Sequence, residues 1–343
     1  MSIKLFVFFL TVTIFSFRFG NIFAFSVWEH SVLCSISSAP NDTTTSRNFE
    51  FIYNVVLPHI PKTAKGLSTW IPLPQSDDFQ VISNIKIECP VPYTIDRETT
   101  YNNKFLNILI NKNIPDSLNI RITFNAQRKI RNGVPTSHLP LPIKNLSSKY
   151  LLPNNLIPVD GQIKKESKKV TLNAKSDMDR VRAIYDHIVK TVTYDKSGTG
   201  WGRGDALYAC NVRAGNCTDF HSLFIGMCRS IDIPARFIIG FPLPEKEIEG
   251  EISGYHCWAE FFINEVGWIP VDASEAFKHS ERKNFFFGNL DYNRIQFTIG
   301  RDIELQNNNI THKLNYFIYP FCTIDGEPYY DVKSSFYFKE VIP

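Results

Sequence analysis

The segment Arg213-Ala214-Gly215-Asn216-Cys217-Thr218-Asp219-Phe220-His221-Ser222 sets a cysteine behind a glycine turn and ahead of an amphipathic run. From Phe220, the apolar residues Leu223, Phe224 and Met227 fall on one helical face. Cys217 is therefore expected at or near a helix N-terminus, where the positive end of the dipole favours a thiolate. The thiolate is the nucleophilic form of the side chain and requires a lowered pKa or an adjacent base. Histidine is the usual base, because its titration lies near neutrality. Tyr255-His256-Cys257-Trp258-Ala259-Glu260 offers one on an alternating strand, and Trp268-Ile269-Pro270-Val271-Asp272 offers a carboxylate on the strand that returns. The chemistry these three residue types support together is nucleophilic acyl transfer.

A helix, a strand and a loop fit between Cys217 and His256, so the histidine strand can pack beside the cysteine helix. His256 is expected to share a strand face with Trp258, Glu260 and Phe262. Asp272 follows at an even separation, and opposed or diagonal residues on antiparallel strands share a face, so the two can meet. A carboxylate there would fix the imidazole tautomer and stabilise its charged form. The Cys217 backbone N–H, free at a helix start, is a candidate oxyanion donor. A second donor could come from the stretch between Tyr194 and Trp201. Taken singly, each residue has a structural alternative: a lone cysteine in the core, a strand histidine as a satisfied polar group, Asp272 as a turn cap.

The composition narrows the setting. The chain has 343 residues, enough for roughly two domains of about 150 residues. Lys and Arg total 37 against 34 Asp and Glu, a net charge of +3, too balanced to suggest nucleic acid or an anionic membrane as partner. Lys4, the apolar run from Leu5 to Phe17, and Ala24 read as a signal peptide over 1–24. The run is shorter than the ~20 residues a bilayer span needs. An exported protein, with no stable membrane span after cleavage, is the expectation. Seven cysteines (34, 89, 210, 217, 228, 257 and 322) leave at least one unpaired. Cys228 and Cys257 read as small buried residues. No zinc spacing is present, and neither metal nor cofactor is expected.

Residues 25–46 end in a Ser/Thr/Asn-rich patch and read as a linker. Over 47–135, alternating runs at Phe49 to Val55, Val81 to Ile87, Phe105 to Ile110 and Ile120 to Phe124 predict an antiparallel β-sandwich of about 100 residues. Trp70-Ile71-Pro72-Leu73-Pro74 is expected to break a strand or lie on an edge, since proline cannot donate to a ladder. Residues 136–172 read as a connector whose lysines, Lys164 to Lys169, form a solvated face. Ser176 predicts the cap of a helix with Met178, Val181, Ile184, Tyr185 and Ile188 on one face. The glycine-rich run Lys196 to Asp205, with Trp201 inside it, lacks a phosphate-loop pattern and reads as a mobile loop over the cleft. Phe237 to Phe241 is an apolar strand, Pro242 to Ser253 an acidic loop, and 301–343 terminal strands.

Four blocks together resemble the transglutaminase-like superfamily: Gly215-Asn216-Cys217-Thr218-Asp219-Phe220, Ile233-Pro234-Ala235-Arg236, His256-Cys257-Trp258-Ala259-Glu260 and Gly267-Trp268-Ile269-Pro270-Val271-Asp272. The resemblance is strongest over about 175–280, and the earlier strands look like the β-sandwich that precedes this domain in some bacterial members. It implies an α+β fold, a papain-like transglutaminase core over 173–300 preceded by an antiparallel β-sandwich. It implies Cys217, His256 and Asp272 as a triad that attacks a carboxamide and passes the resulting thioester to water or to an amine. Trp258 would wall the acyl site, and Arg236 would form a structural salt bridge. The calcium-binding and barrel domains of the eukaryotic enzymes are not evident, and the position of Trp201 does not match their transition-state tryptophan. The expected activity is a thiol hydrolase acting on peptide, protein or peptidoglycan-derived amides. Glutamine–amine crosslinking and a non-catalytic binding module of the same fold are the alternatives.

Overall fold

The computed structural model describes residues 45–132, 148–264, 266–307 and 310–341. The leader expected over 1–24 and nearly all of the linker lie outside the described residues. Six strands come first: β1 (Ser46–Leu57), β2 (Leu67–Leu73), β3 (Gln80–Glu88), β4 (Thr94–Arg97), β5 (Lys104–Ile110) and β6 (Leu118–Lys129). In β1 and β6 alternation gives one apolar face per strand, since successive side chains point to opposite sides. Phe49, Phe51, Tyr53, Val55 and Leu57 of β1 are all buried, as are Leu118, Ile120, Ile122, Phe124 and Ala126 of β6.

The middle of the chain alternates helices and strands. In order these are α1 (Gly161–Val170), α2 (Asp177–Thr191), β7 (Thr193–Tyr194), α3 (Ala206–Val212), β8 (Ala214–Gly215), α4 (Cys217–Arg229), β9 (Ala235–Pro242), β10 (Glu249–Glu251), β11 (His256–Ile263), β12 (Gly267–Val271) and α5 (Ala273–Lys278). Strands close the chain: β13 (Arg294–Ile299), β14 (Ile303–Asn307), β15 (Ile310–Leu314), β16 (Phe321–Ile324), β17 (Glu327–Tyr329) and β18 (Lys333–Glu340). The fold is α+β with antiparallel main sheets and a β-rich N-terminal region.

One five-stranded sheet runs β10-β18-β1-β6-β3 and a second runs β17-β16-β2-β5-β4. The last strands of the chain thus lie in the sheets that the first strands begin: β18 pairs with β1 from Phe49↔Glu340 to Val56↔Lys333, and β16 pairs with β2. Arg47 fastens this return. Its guanidinium donates to Glu340 at 2.7 Å, to the Pro244 carbonyl and Asn293 at 2.9 Å, and to the Glu247 carbonyl at 2.5 Å. The segment expected as an acidic loop is anchored by these bonds, and its Glu249–Glu251 stretch becomes strand β10.

β2 corrects the expectation of a broken or edge strand. It lies between β16 and β5, but β16 covers it only from Leu67 to Trp70. Pro72 pairs with Phe105 of β5 beyond the end of β16, so its missing N–H leaves no gap in the β16 ladder. Helix α1 is a second correction, since 136–172 was expected to be connector. Only Ile163 and Ser167 are buried in it, a stripe too thin and too polar to read as a helix face. Ser167 is satisfied by the Ile163 carbonyl and by Ser230, both at 2.8 Å.

The sheet that carries the site runs β12-β11-β9-β13. It shares a core with the first sheet: the Phe51 ring lies 5.7 Å from both Phe241 of β9 and Phe297 of β13. Gly240 on β9 is fixed by this packing, because a Cβ there would meet the Ile295 carbonyl oxygen at 1.8 Å. Helix α4 lies against β11 and β9, and every residue from Cys217 to Arg229 is buried. A helix apolar on most sides is the expected form for such a position. Helix α2 has the predicted Ser176 cap and buries Val181, Ile184, Tyr185 and Ile188.

Candidate active site

Cys217 is the first residue of α4, and its position is set by a reciprocal cap. The Asn216 side chain accepts the Thr218 N–H at 2.9 Å, and the Asp219 carboxylate accepts the Asn216 N–H at 2.9 Å. Asp219 also accepts the Gly202 N–H at 2.7 Å and the Gly204 N–H at 2.9 Å. One buried carboxylate thus holds the helix start and the glycine-rich loop together. Arg301 adds bonds to the Arg203 and Gly204 carbonyls, Asn315 to Arg203, and Tyr316 to Gly202. The loop expected to be mobile is consequently pinned over 202–204. Trp201, half-buried, immediately precedes this pinned turn.

His256 opens β11, and Asp272 is the first residue beyond β12. The register pairs Ala259 with Val271, which makes His256 and Asp272 diagonal neighbours on one face. His256 Nε2 lies 2.7 Å from Asp272 Oδ2. Asp272 serves both roles that the sequence allowed, because its Oδ1 also caps α5 by accepting the Glu275 N–H at 3.0 Å. Arg294 donates to the same Oδ2 at 2.7 Å, so a buried cation faces the carboxylate from β13. The sequence reading missed Arg294, and no local pattern marks it. Only the placement of β13 beside β9 brings it in.

Cys217 is buried at the start of α4, close enough to His256 and His221 for their charges to act on it. Its pKa falls well below the ordinary thiol value, first through the Cys257 hydrogen bond and then through His256 and His221, against the opposing effect of burial. Burial alone would lower the pKa of His256. The charge and hydrogen bond of Asp272, joined by Cys217, instead raise it to about 10. Burial likewise opposes ionisation of Asp272, but His256 and Arg294 hold its carboxyl well below the usual range. The ensemble favours a thiolate, an imidazolium and a carboxylate in line.

His221, a second buried histidine, stands behind Cys217. Its Nδ1 lies 2.8 Å from the Cys217 carbonyl, and its Nε2 accepts the Ala273 N–H at 3.1 Å. A backbone N–H can only donate, so Nε2 carries the lone pair and Nδ1 the proton. Burial lowers the pKa of this ring and keeps it neutral.

The remaining expected residues separate. Tyr194 comes to the site: β7 pairs with β8, matching Tyr194 to Gly215, and burial followed by the Cys217 charge raises its pKa to about 12. Trp258 does not wall an open acyl site. It is fully buried with Ile238 and Leu290, with the Arg294 guanidinium 5.2 Å above its ring, and so it backs the charged face from inside. Arg236 forms the salt bridge implied for it, donating Nε to Glu260 at 2.7 Å, and Arg131 meets the other oxygen of Glu260 at 2.5 Å. The structure adds Tyr255, Tyr316 and Tyr319, whose rings cluster at 5.6 and 6.1 Å from Tyr255 and sense the charge of Cys217. Tyr316 and Tyr319 come from the return towards β16, too far along the chain for sequence reasoning to place. Among the described residues, Cys89, Cys210, Cys217, Cys228, Cys257 and Cys322 are all free thiols.

An uncharacterized Haemophilus influenzae protein is 27% identical over 338 residues, covering 85% of this chain and 90% of its own. The uncharacterized Bacillus subtilis protein YebA is 25% identical over 123 residues, covering 32% of this chain and 17% of its own. A solved structure from Cytophaga hutchinsonii, provisionally described as a cysteine protease, covers 87% of this chain and 99% of its own, with a TM-score of 0.53 at 19% identity, and shares the fold. Residues 164–273 match the model of the transglutaminase-like superfamily. That span runs from within α1 to the first residue of α5 and holds Cys217, His256 and Asp272, and over it this chain is similar to the transglutaminase-like superfamily.

Proposed function

We propose that this protein is a thiol-dependent acyl-transfer enzyme that cleaves carboxamide or peptide bonds through a Cys217 thioester, with water as the usual acceptor. The observation that carries this reading is the 2.7 Å contact of His256 Nε2 with the buried Asp272 carboxylate, on a sheet against which α4 packs with Cys217 as its first residue. In the first half-reaction the thiolate attacks the carbonyl carbon. The Cys217 N–H, in the first helical turn where no intrahelical acceptor exists, is placed to meet the developing oxyanion. The C–N bond breaks as the His256 imidazolium gives its proton to the leaving amine. In the second, neutral His256 takes a proton from water as the water oxygen attacks the thioester. The acid leaves, and thiolate and imidazolium are restored.

Asp272 keeps His256 oriented throughout and favours its charged form between turnovers, and Arg294 helps keep Asp272 ionised. The Tyr194, Tyr255, Tyr316 and Tyr319 rings offer aromatic surface with polar tips beside the sulfur, suited to a peptide or peptide-like chain. The sequence features at 1–24 support export of the protein, with substrates among peptides, proteins or peptidoglycan fragments. Among the described residues, no helix is long and apolar enough to cross a membrane.

The test is amide turnover on a peptide library with and without a primary amine. Hydrolysis yields only free carboxylate, whereas amine incorporation would make crosslinking the main reaction. Cys217→Ala is expected to abolish turnover while leaving the fold intact, and wild-type turnover in that variant would end the reading. Cys217 labelling by iodoacetamide no faster than the other thiols would favour a non-catalytic binding module.

A further inference from the structure

Helix α1 has a second face besides the buried Ile163 and Ser167. Gln162, Lys165, Glu166, Lys169 and Val170 recur at helical spacing and share one side of it. That side forms a wall of a cavity of about 560 Å³, which His187 of α2 and Arg213 at the end of α3 also line. A helix face turned towards other helices is ordinarily apolar, yet four of these five residues are polar or charged. Glu166, the acid of the cavity, is already engaged. Its carboxylate meets His187 Nε2 at 2.5 Å and accepts from Arg213 Nη2 at 2.7 Å and from the Cys210 thiol at 3.0 Å. Burial opposes its ionisation, but those three bonds hold its carboxyl below the ordinary value. The cations are not so matched. Among the described residues Lys165 and Lys169 have no ion-pair partner, and Arg213 Nη1 is buried without an acceptor. Like charges four residues apart on a helix repel, so the two lysines favour a counter-charge between them.

We propose that the cavity between α1, α2 and the end of α3 is an anion-binding site that takes a phosphoryl group, free or esterified, on Lys165, Lys169 and Arg213. Three cations face one carboxylate there, an excess of two positive charges without counting His187. A phosphate or phosphate monoester carries about two negative charges near neutrality, which matches that excess, whereas a single carboxylate carries one. Ammonium groups act on phosphate as mobile point charges and a guanidinium adds directed N–H donors, so the pair of lysines and the arginine complement a group with several equivalent oxygens. The cavity is roomier than a bare phosphate requires and falls in the ordinary range for small-molecule sites. Glu166 is the brace of the site: by holding His187, Arg213 and Cys210 it sets the three helices around the cavity. The proposal does not rest on the thioester reading, because none of these residues takes part in that chemistry.

The test is calorimetric titration of the full chain with inorganic phosphate and, separately, glycerol 3-phosphate, in a chloride background of fixed ionic strength. Wild type is compared with two double variants. Lys165→Gln with Lys169→Gln removes both cavity lysines. Lys164→Gln with Lys168→Gln removes the same charge from the same helix but outside the cavity lining. All four lysines are exposed, so both variants should fold, and thermal melts without phosphate check this. Saturable binding at one site is expected in wild type. It should weaken about tenfold or more in the first variant, as the loss of a charge-assisted bond requires, and stay near wild type in the second. Tighter binding of glycerol 3-phosphate would assign the site to a phosphate ester, and equal or weaker binding to the free anion. Absence of saturable binding of either probe to wild type, or equal weakening in the two double variants, would overturn the proposal. Succinate binding as tightly as phosphate would overturn the assignment to a phosphoryl group. Turnover is not read in any arm, so the outcome is independent of whether Cys217 proves catalytic.

Discussion

Two buried histidines flank one carboxylate in this protein, and they take opposite charge states. His256 Nε2 meets Asp272 Oδ2 at 2.7 Å, while His221 Nε2 lies 3.6 Å from Asp272 Oδ1. Both rings are almost wholly buried, so desolvation opposes the charged form in each. What separates them is hydrogen bonding. His256 offers Nε2–H to the carboxylate and its other face to a sulfur that carries negative charge. His221 must keep Nε2 as a lone pair for the Ala273 N–H, and its single proton goes to a neutral carbonyl. Proximity to a carboxylate therefore does not by itself make an imidazolium; the donors and acceptors fixed by the backbone decide it. One histidine is arranged to exchange protons and the other to hold two segments together.

The sharpest break of this comparison removes each ring in turn. His256→Leu is expected to lower turnover by about 10^4 or more, because the base is lost, as for members of other triads. His221→Leu should leave measurable turnover and instead lower stability. It orphans the buried Ala273 N–H, at about 1–3 kcal/mol. Denaturant melts alongside kinetics separate the two outcomes, and a reversal of the roles would refute the distinction.

Asp272→Asn should follow closely, with activity reduced on the order of 10^3–10^4 through loss of the charge that keeps His256 protonated and oriented. Turnover against pH is the measurement, and an unchanged profile would show that Asp272 acts only as the α5 cap. Arg294→Met removes one partner of a buried pair and leaves both Asp272 and Asp291 short of positive charge. A stability loss of about 3–5 kcal/mol is expected, read from chemical denaturation.

The smallest effect is the pH dependence, and its sign follows from the direction of each shift. His256 titrates at about 10 in the folded protein, above its ordinary 6.5. Its stabilising contribution is therefore complete below about 6.5 and is lost as the pH rises through about 10. Nitrogen-detected NMR of the imidazoles should show His256 charged at neutral pH and His221 neutral. A charged His221 at neutral pH would contradict the tautomer assigned to it.

The segment Asn216 to Ser222 carried most of the site in its own order. Asn216 and Asp219 cap a helix through bonds that span two or three residues, so their outcome is local. The spacing from His256 to Asp272 likewise fixed a shared face, because alternation and an antiparallel return admit few registers. Trp258 was legible as a neighbour of the base but not as an interior residue, since burial depends on Ile238 and Leu290 from other strands. The loop at 202–204 could not be read as pinned, because its anchors Arg301, Asn315 and Tyr316 lie about a hundred residues further on.

The sequence by itself determined the helix that Cys217 opens, the strand that His256 opens, the carboxylate that follows it and the family these resemble. Each depends on residues close in the chain, where periodicity and capping leave little freedom. Tertiary structure alone decided that Arg294 faces the carboxylate, that His221 bridges the Cys217 carbonyl and the Ala273 N–H, and that the final strand returns to pair with the first. Those outcomes depend on contacts between distant segments and on the removal of water around them, and no local pattern encodes either.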